Sequence, residues 1–123
     1  SNYIKGDVKA VAKVLDDGMM QCGAPRERFR WRLALAGICL DAGQAAAAVA
    51  HLEALDEEVE RHSLEAWEPA LATELLKVFY RCEKKLSQSG HRDQKEAVQR
   101  LDRLYGRLCR IDTLSALTLE GRK

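Results

Sequence analysis

Histidines and cysteines are the residues of this 123-residue chain that could hold a metal or act as a nucleophile. The three histidines, His51, His62 and His91, are isolated from one another, and only His62 has an acid, Glu58, one helical turn away. Two ligands at an exposed helix end are more typical of a surface pair than of a metal site. No Gly-rich phosphate loop, His-Glu-x-x-His pair or nucleophile elbow occurs. The sequence therefore predicts no catalytic, cofactor-binding or metal-binding residues, and a protein that is not an enzyme.

The four cysteines, Cys22, Cys39, Cys82 and Cys109, are spread along the chain without a Cys-x-x-Cys pair. Their spacing is not that of a zinc site. The last three have apolar neighbours at helical spacing, which predicts small buried side chains. We expect reduced thiols and hence a cytoplasmic location.

A central helix over residues 25–42 is the element around which the others are expected to pack. Pro25 suits the first helical position, and Gly43 suits a left-handed residue just after the helix. Apolar residues between them lie on nearly every side of the helix, which is typical of a buried helix. No strand-like alternation appears nearby, so the neighbours that cover it should also be helices.

The same reasoning predicts an all-α protein of about five helices. The first helix starts from a cap at Asp7 and ends before Gly23, and the third follows Gly43 closely enough to form an antiparallel hairpin. Pro69 marks the start of a fourth helix, and a polar loop over residues 87–94 separates it from a fifth. The apolar spacing resembles that of tetratricopeptide (TPR) hairpins, so we expect TPR-like packing. The predicted core contains Leu33, Leu35, Ile38, Leu52, Leu75 and Leu104.

Length and charge limit the possible roles. One domain over residues 1–123 fits the length, with residues 1–6 and 118–123 expected to be flexible. Twenty basic and 19 acidic residues give a net charge of +1, which favours neither nucleic acid nor a membrane surface. The basic stripe on the fifth helix, Arg100 to Arg110, is most simply a solvated face. No apolar run approaches the roughly 20 residues that span a bilayer, so no membrane insertion is expected.

Several segments resemble a known family. They are residues 28–36 (RFRWRLALA), 40–44 (LDAGQ), 52–62 (LEALDEEVERH), 64–72 (LEAWEPALA) and 105–112 (YGRLCRID). Together they are similar to the C-terminal domain of TssA (VasJ/ImpA-like) proteins of bacterial type VI secretion systems. The chain has Asp112-Thr113 where the family commonly ends in Leu-Asp-Pro, so the end of the last helix is expected to differ.

The resemblance implies a structural role. Proteins of this family associate with the baseplate and the tube–sheath assembly, and their C-terminal domains self-associate into closed rings of dihedral symmetry. It therefore implies an oligomerisation domain in the bacterial cytoplasm, whose partners are its own copies and the baseplate, tube and sheath proteins. A TPR-like adaptor that binds peptides in a groove of the helical hairpins is the alternative.

Tryptophans beside arginine and proline, and leucines in the apolar tail, are typical of residues that anchor interfaces. Their combined aromatic and apolar surface is larger than one small helical layer can bury. The predicted interface residues are Phe29, Trp31, Arg32, Trp67, Glu68, Pro69, Arg100, Arg103, Arg107, Leu114 and Leu117.

Overall fold

Helices account for all of the regular structure that the computed structural model describes, over residues 5–21 and 23–119. They are α1 (Lys5–Gln21), α2 (Pro25–Asp41), α3 (Ala45–Arg61), α4 (Leu64–Trp67), α5 (Pro69–Gln88), α6 (Gln94–Ile111) and α7 (Thr113–Leu117). The all-α prediction is confirmed, and the five long helices are the five that were expected. The two short helices, α4 and α7, were not predicted. The TPR-like packing stays a prediction.

Local chemistry sets both ends of α2. Pro25 is its first residue, where a missing backbone N–H is not needed. At the other end Gly43 has a φ of 80°, a left-handed conformation that glycine adopts without strain. Its N–H donates to the carbonyl of Leu40, and that of Gln44 donates to the carbonyl of Cys39. These two bonds form a Schellman motif, so the chain turns sharply into α3.

A proline and a left-handed glycine also mark the start and the end of α5, and an acidic side chain caps α6. Pro69 begins α5, as predicted, and Gly90 ends it with a φ of 82°. The side chain of Asp93 accepts a hydrogen bond from the N–H of Glu96 at 2.9 Å and so caps α6. The connection between these helices is therefore residues 89–93, slightly shorter than the predicted loop.

The predicted chain ends fall mostly outside the described residues. Residues 1–4 and 120–123 are not described, and neither is Cys22. Helix α1 begins at Lys5, so Asp7 lies inside the helix and is not its cap. Residues 5 and 6 are the first two of α1, and the flexibility expected for residues 1–6 stays a prediction. No helix in the described part of the chain is both long and apolar enough to cross a bilayer.

The chain divides into two compact units, residues 1–55 and 56–123, with the boundary inside α3. In the first unit α1 packs on α2, and the first part of α3 follows the turn at Gly43. Its buried apolar residues are Phe29, Leu35, Ala36, Cys39, Leu40, Ala48, Leu52 and Leu55. A single domain over the whole chain stays a prediction.

In the second unit α5 packs on α6, and the short helices α4 and α7 lie against this pair. Its core is made of large aliphatic and aromatic side chains together with a few small ones. They are Val59, Leu71, Ala72, Leu75, Leu76, Phe79, Tyr80, Cys82, Leu86, Ala97, Leu104, Leu108 and Ala116.

Burial of the predicted core residues is confirmed for Leu35, Leu52, Leu75 and Leu104. It is wrong for Leu33 and Ile38, which are half-buried. Apolar residues surround α2 on nearly every side, and the neighbouring elements cover only part of that circumference. The helix is therefore less enclosed than its composition indicates. Cys109 on α6 is likewise half-buried, although Cys39 and Cys82 are buried as predicted.

Candidate interaction surfaces

The predicted interface residues of the first unit all lie on α2. Phe29 is buried, so it supports the surface from beneath. Trp31 is half-buried, and its indole ring lies across Gly18 of α1: a Cβ at that glycine would stand 2.9 Å from the ring. The glycine thus leaves the space that the indole occupies. One side of the ring borders a shallow depression of about 370 Å³ that Leu15 and Ala34 also line.

Arg32 is engaged inside its own unit. Its Nε donates a hydrogen bond to Nδ1 of His51 on α3 at 3.2 Å. Burial lowers the pKa of His51, the positive charge of Arg32 lowers it further, and Asp16 opposes both effects. The arrangement suits a neutral imidazole, because only an unprotonated Nδ1 can accept this bond.

Trp67 is the most exposed large apolar side chain of the second unit, with 79% of its surface accessible. It is the last residue of α4, which has no buried residue of its own. Glu68 follows at the junction of α4 and α5, where its N–H donates to the carbonyl of Leu64 and its carbonyl accepts from Ala72. Pro69 is also exposed. The structure therefore presents an aromatic residue and a proline together at the surface.

Two leucines of α7 form a second exposed apolar surface. Leu114 and Leu117 are 73% and 58% accessible and lie three residues apart, on one face of the helix. Ala116 is buried and fixes the opposite face. Asp112 caps the helix by accepting from the N–H and the hydroxyl of Ser115, and these two bonds lower the pKa of Asp112. The tail is thus an ordered helix whose leucines point outward.

Arg107 belongs to a buried ion cluster. Its guanidinium donates to both oxygens of Asp56, at 3.0 and 2.7 Å, and its Nε donates to Glu65 at 3.0 Å. Only 7% of the residue is accessible. The bonds to Asp56, more than those to Glu65, raise the pKa of Arg107 well above its usual range. The solvated-stripe prediction is wrong for Arg107, because its partners lie far away in sequence.

A second cluster surrounds Glu83 of α5. This carboxylate is 1% accessible and accepts two hydrogen bonds from Arg92, at 3.0 and 3.2 Å, and one from Arg100 at 3.3 Å. Arg100 also pairs with Glu96. The cluster joins α5, the loop after it and α6.

Of the three α6 arginines in the predicted interface, Arg100, Arg103 and Arg107, only Arg103 has a mostly exposed side chain. It lies 4.0 Å from Glu60, and 72% of its side chain is accessible. A surface pair of this kind contributes little to stability, so its charge is available to a partner.

Sequence reasoning missed Glu65 and Glu83. It placed Asp56 in a charge network with the arginines at the start of α2, whereas the structure pairs Asp56 with Arg107. A signal existed for Glu83, which lies four residues after Phe79 and three before Leu86, on the apolar face of α5. A charged residue at a core position predicts a buried ion pair, because burial of an unpaired charge is too costly. Within the described ranges, no cluster of three or more His, Cys, Asp or Glu side chains could hold a metal ion.

Comparison with known proteins identifies the family. A family model described as "Type VI secretion, EvfE, EvfF, ImpA, BimE, VC_A0119, VasJ" matches residues 3–79, which is more than half of the chain. Neither the curated proteins nor the solved structures contain a significant match. The matched region holds α2, the hairpin turn and the Trp-Glu-Pro segment, on which the resemblance in sequence also depends. The chain therefore belongs to the VasJ/ImpA family of type VI secretion proteins.

Proposed function

We propose that this chain is a non-enzymatic assembly domain that self-associates into a symmetric ring in the cytoplasm of a bacterium with a type VI secretion system. Its partners are further copies of itself and the baseplate, tube and sheath proteins of the apparatus. Family membership supports a role in secretion. The observation that carries the self-association is the exposure of Trp67.

An indole that is 79% accessible is unusual for a side chain that gains so much from burial. Tryptophan is also the residue type most enriched among those that dominate interface energies. Trp67 does not stand alone, since Pro69 continues the exposed segment. This segment, residues 67–69, is the first proposed interface.

The leucines of α7 supply a second, chemically distinct apolar surface on the same unit. A head-to-tail ring needs two different complementary patches on each subunit, because each copy meets its two neighbours through different surfaces. A net charge of +1 gives the copies little reason to repel one another. Both features favour a second copy of this chain as the occupant of each patch.

The test is the mass of the 123-residue chain in solution, by sedimentation velocity, for the wild type and for single variants. We expect a large wild-type species. Trp67→Ala and Leu114→Ala should each weaken association by more than about tenfold, as truncated interface anchors do. Met20→Ala is the matched control, since Met20 is 76% accessible but lies on α1, outside the proposed interfaces.

A folded wild-type monomer of 13.8 kDa would contradict self-association and would favour the TPR-like adaptor. Equal effects of all three substitutions would show that exposed apolar area in general, and not these two surfaces, drives association. Circular dichroism of each variant checks that the helices remain.

A further inference from the structure

The short helix α4 cannot hold Trp67 in place by itself. It has four residues, and an isolated helix of that length is unstable in water because nucleation is costly. None of its residues is buried and Leu64 is half-buried, so apolar packing holds it only in part. Ser63, just before it, adopts a left-handed conformation with a φ of 53°, which is strained for a residue other than glycine. A polar tertiary contact can therefore add substantially to the order of this segment.

The contact is the ion pair between Glu65 of α4 and Arg107 of α6. Both Nε and Nη2 of Arg107 lie close to the Oε2 of Glu65, at 3.0 and 2.9 Å. The guanidinium is itself held by two bonds to Asp56 on α3, and it is nearly inaccessible to solvent. The guanidinium of Arg107, fixed on a long helix, therefore holds Glu65 in the middle of α4, two residues before Trp67.

We infer that Arg107 is a positioning residue for the interface at Trp67: through Glu65 it fixes α4 so that the exposed indole is presented in one orientation. This inference rests on the proposed function, in which Trp67 contacts a second copy of the chain. An anchor that is already ordered loses less conformational entropy on binding, which strengthens association without any added contact. Arg107 itself is too deeply buried to touch the neighbouring copy.

The substitution that isolates this role is Glu65→Ala. This substitution removes the ion pair between α4 and Arg107 but leaves the Arg107–Asp56 pair intact. The buried charge of Arg107 therefore keeps a partner. Glu57→Ala is the matched control, because Glu57 is an exposed acid next to Asp56. Both variants are made in the wild-type chain and in Trp67→Ala.

Two measurements are needed. Hydrogen exchange of the backbone amides of residues 66–68 reports on α4 whether or not the chain assembles, and we expect Glu65→Ala to speed it about tenfold, as loss of a charged hydrogen bond would. Sedimentation velocity over a dilution series gives the association constant. Glu65→Ala should weaken association several-fold in the wild-type chain and have almost no effect in Trp67→Ala, because residues that act as a unit are not additive.

Unchanged exchange of these amides would overturn the inference. So would an equal loss of association in both backgrounds, or no loss in either, since Glu65 would then act independently of Trp67. A monomeric wild type would defeat the proposed function and, with it, the interface that Arg107 is inferred to serve. Faster exchange of residues 66–68 in Glu65→Ala would then show only that the ion pair orders α4, so the two failures are distinguishable.

Discussion

Removal of the Glu83 carboxylate should destabilise the second unit more than any surface substitution. Glu83→Ala leaves Arg92 and Arg100 without the acid that they share, and it opens a small void on the inner face of α5. Glu83→Gln keeps the volume and one acceptor oxygen but removes the charge. The two variants therefore separate the contribution of the charge from that of the packing.

The size of the effect follows from the three bonds that the carboxylate accepts. A hydrogen bond to a charged group contributes about 1.5–3 kcal/mol. The side chains of Arg92 and Arg100 are 18% and 37% accessible, so both can turn to water when the acid is lost, and the sum must be discounted. We expect the free energy of unfolding to fall by about 2–4 kcal/mol in Glu83→Ala. For Glu83→Gln the expected loss is about 1–2 kcal/mol.

Urea unfolding followed by circular dichroism measures both values. Glu74→Ala is the control, because Glu74 is an exposed acid on the same helix and should change stability by less than about 0.5 kcal/mol. The loss of unfolding free energy in Glu83→Ala should persist when the salt concentration is raised from about 0.1 M to about 1 M, since a buried pair is poorly screened. If Glu83→Ala and Glu74→Ala unfold at the same midpoint, the cluster does not stabilise the fold and the argument is refuted.

Three further predictions concern single groups. Gly18→Ala should destabilise the wild-type chain, because the new Cβ meets the Trp31 ring. In the Trp31→Ala background it should instead stabilise the chain by up to about 1 kcal/mol, because alanine has the better helix propensity. Thermal unfolding of the wild type, the two single variants and the double variant tests this. Burial lowers the pKa of His51 below 6.5, so below that pH the unfolded chain binds more protons than the folded chain. The free energy of unfolding should therefore rise with pH up to about 6.5, and this rise should be smaller in His51→Gln. A thiol reagent should modify half-buried Cys109 before buried Cys82 in the native protein. Mass spectrometry of the labelled peptides gives the order, and modification of Cys82 first would contradict the prediction.

The long helices could be predicted because their boundaries depend on nearby residues. Pro25, Gly43 and Pro69 each act through their own backbone geometry, and the structure places all three where the sequence indicates. The start of α1 was misjudged because Asp7, a good capping residue, also tolerates a position inside a helix. A preference for capping does not by itself choose where a helix begins.

The short helices and the ion clusters depend on residues that are distant in sequence. Arg107 and Asp56 are 51 residues apart, and Arg107 and Glu65 are 42 apart, so no local pattern pairs them. For the same reason α4 was interpreted as a simple connection. Trp67 was predicted to lie at or just beneath an interface because proline follows it closely, whereas Arg107 was predicted to lie on a solvated stripe and is buried.

Self-association is the central claim, and the mass and symmetry of the wild-type chain test it most directly. Sedimentation velocity gives the mass, and electron micrographs of the same sample give the symmetry. We predict a single large species that appears as closed rings, and its loss in Trp67→Ala with the helical content retained. A folded species of 13.8 kDa at every concentration, with no rings in the micrographs, would contradict it.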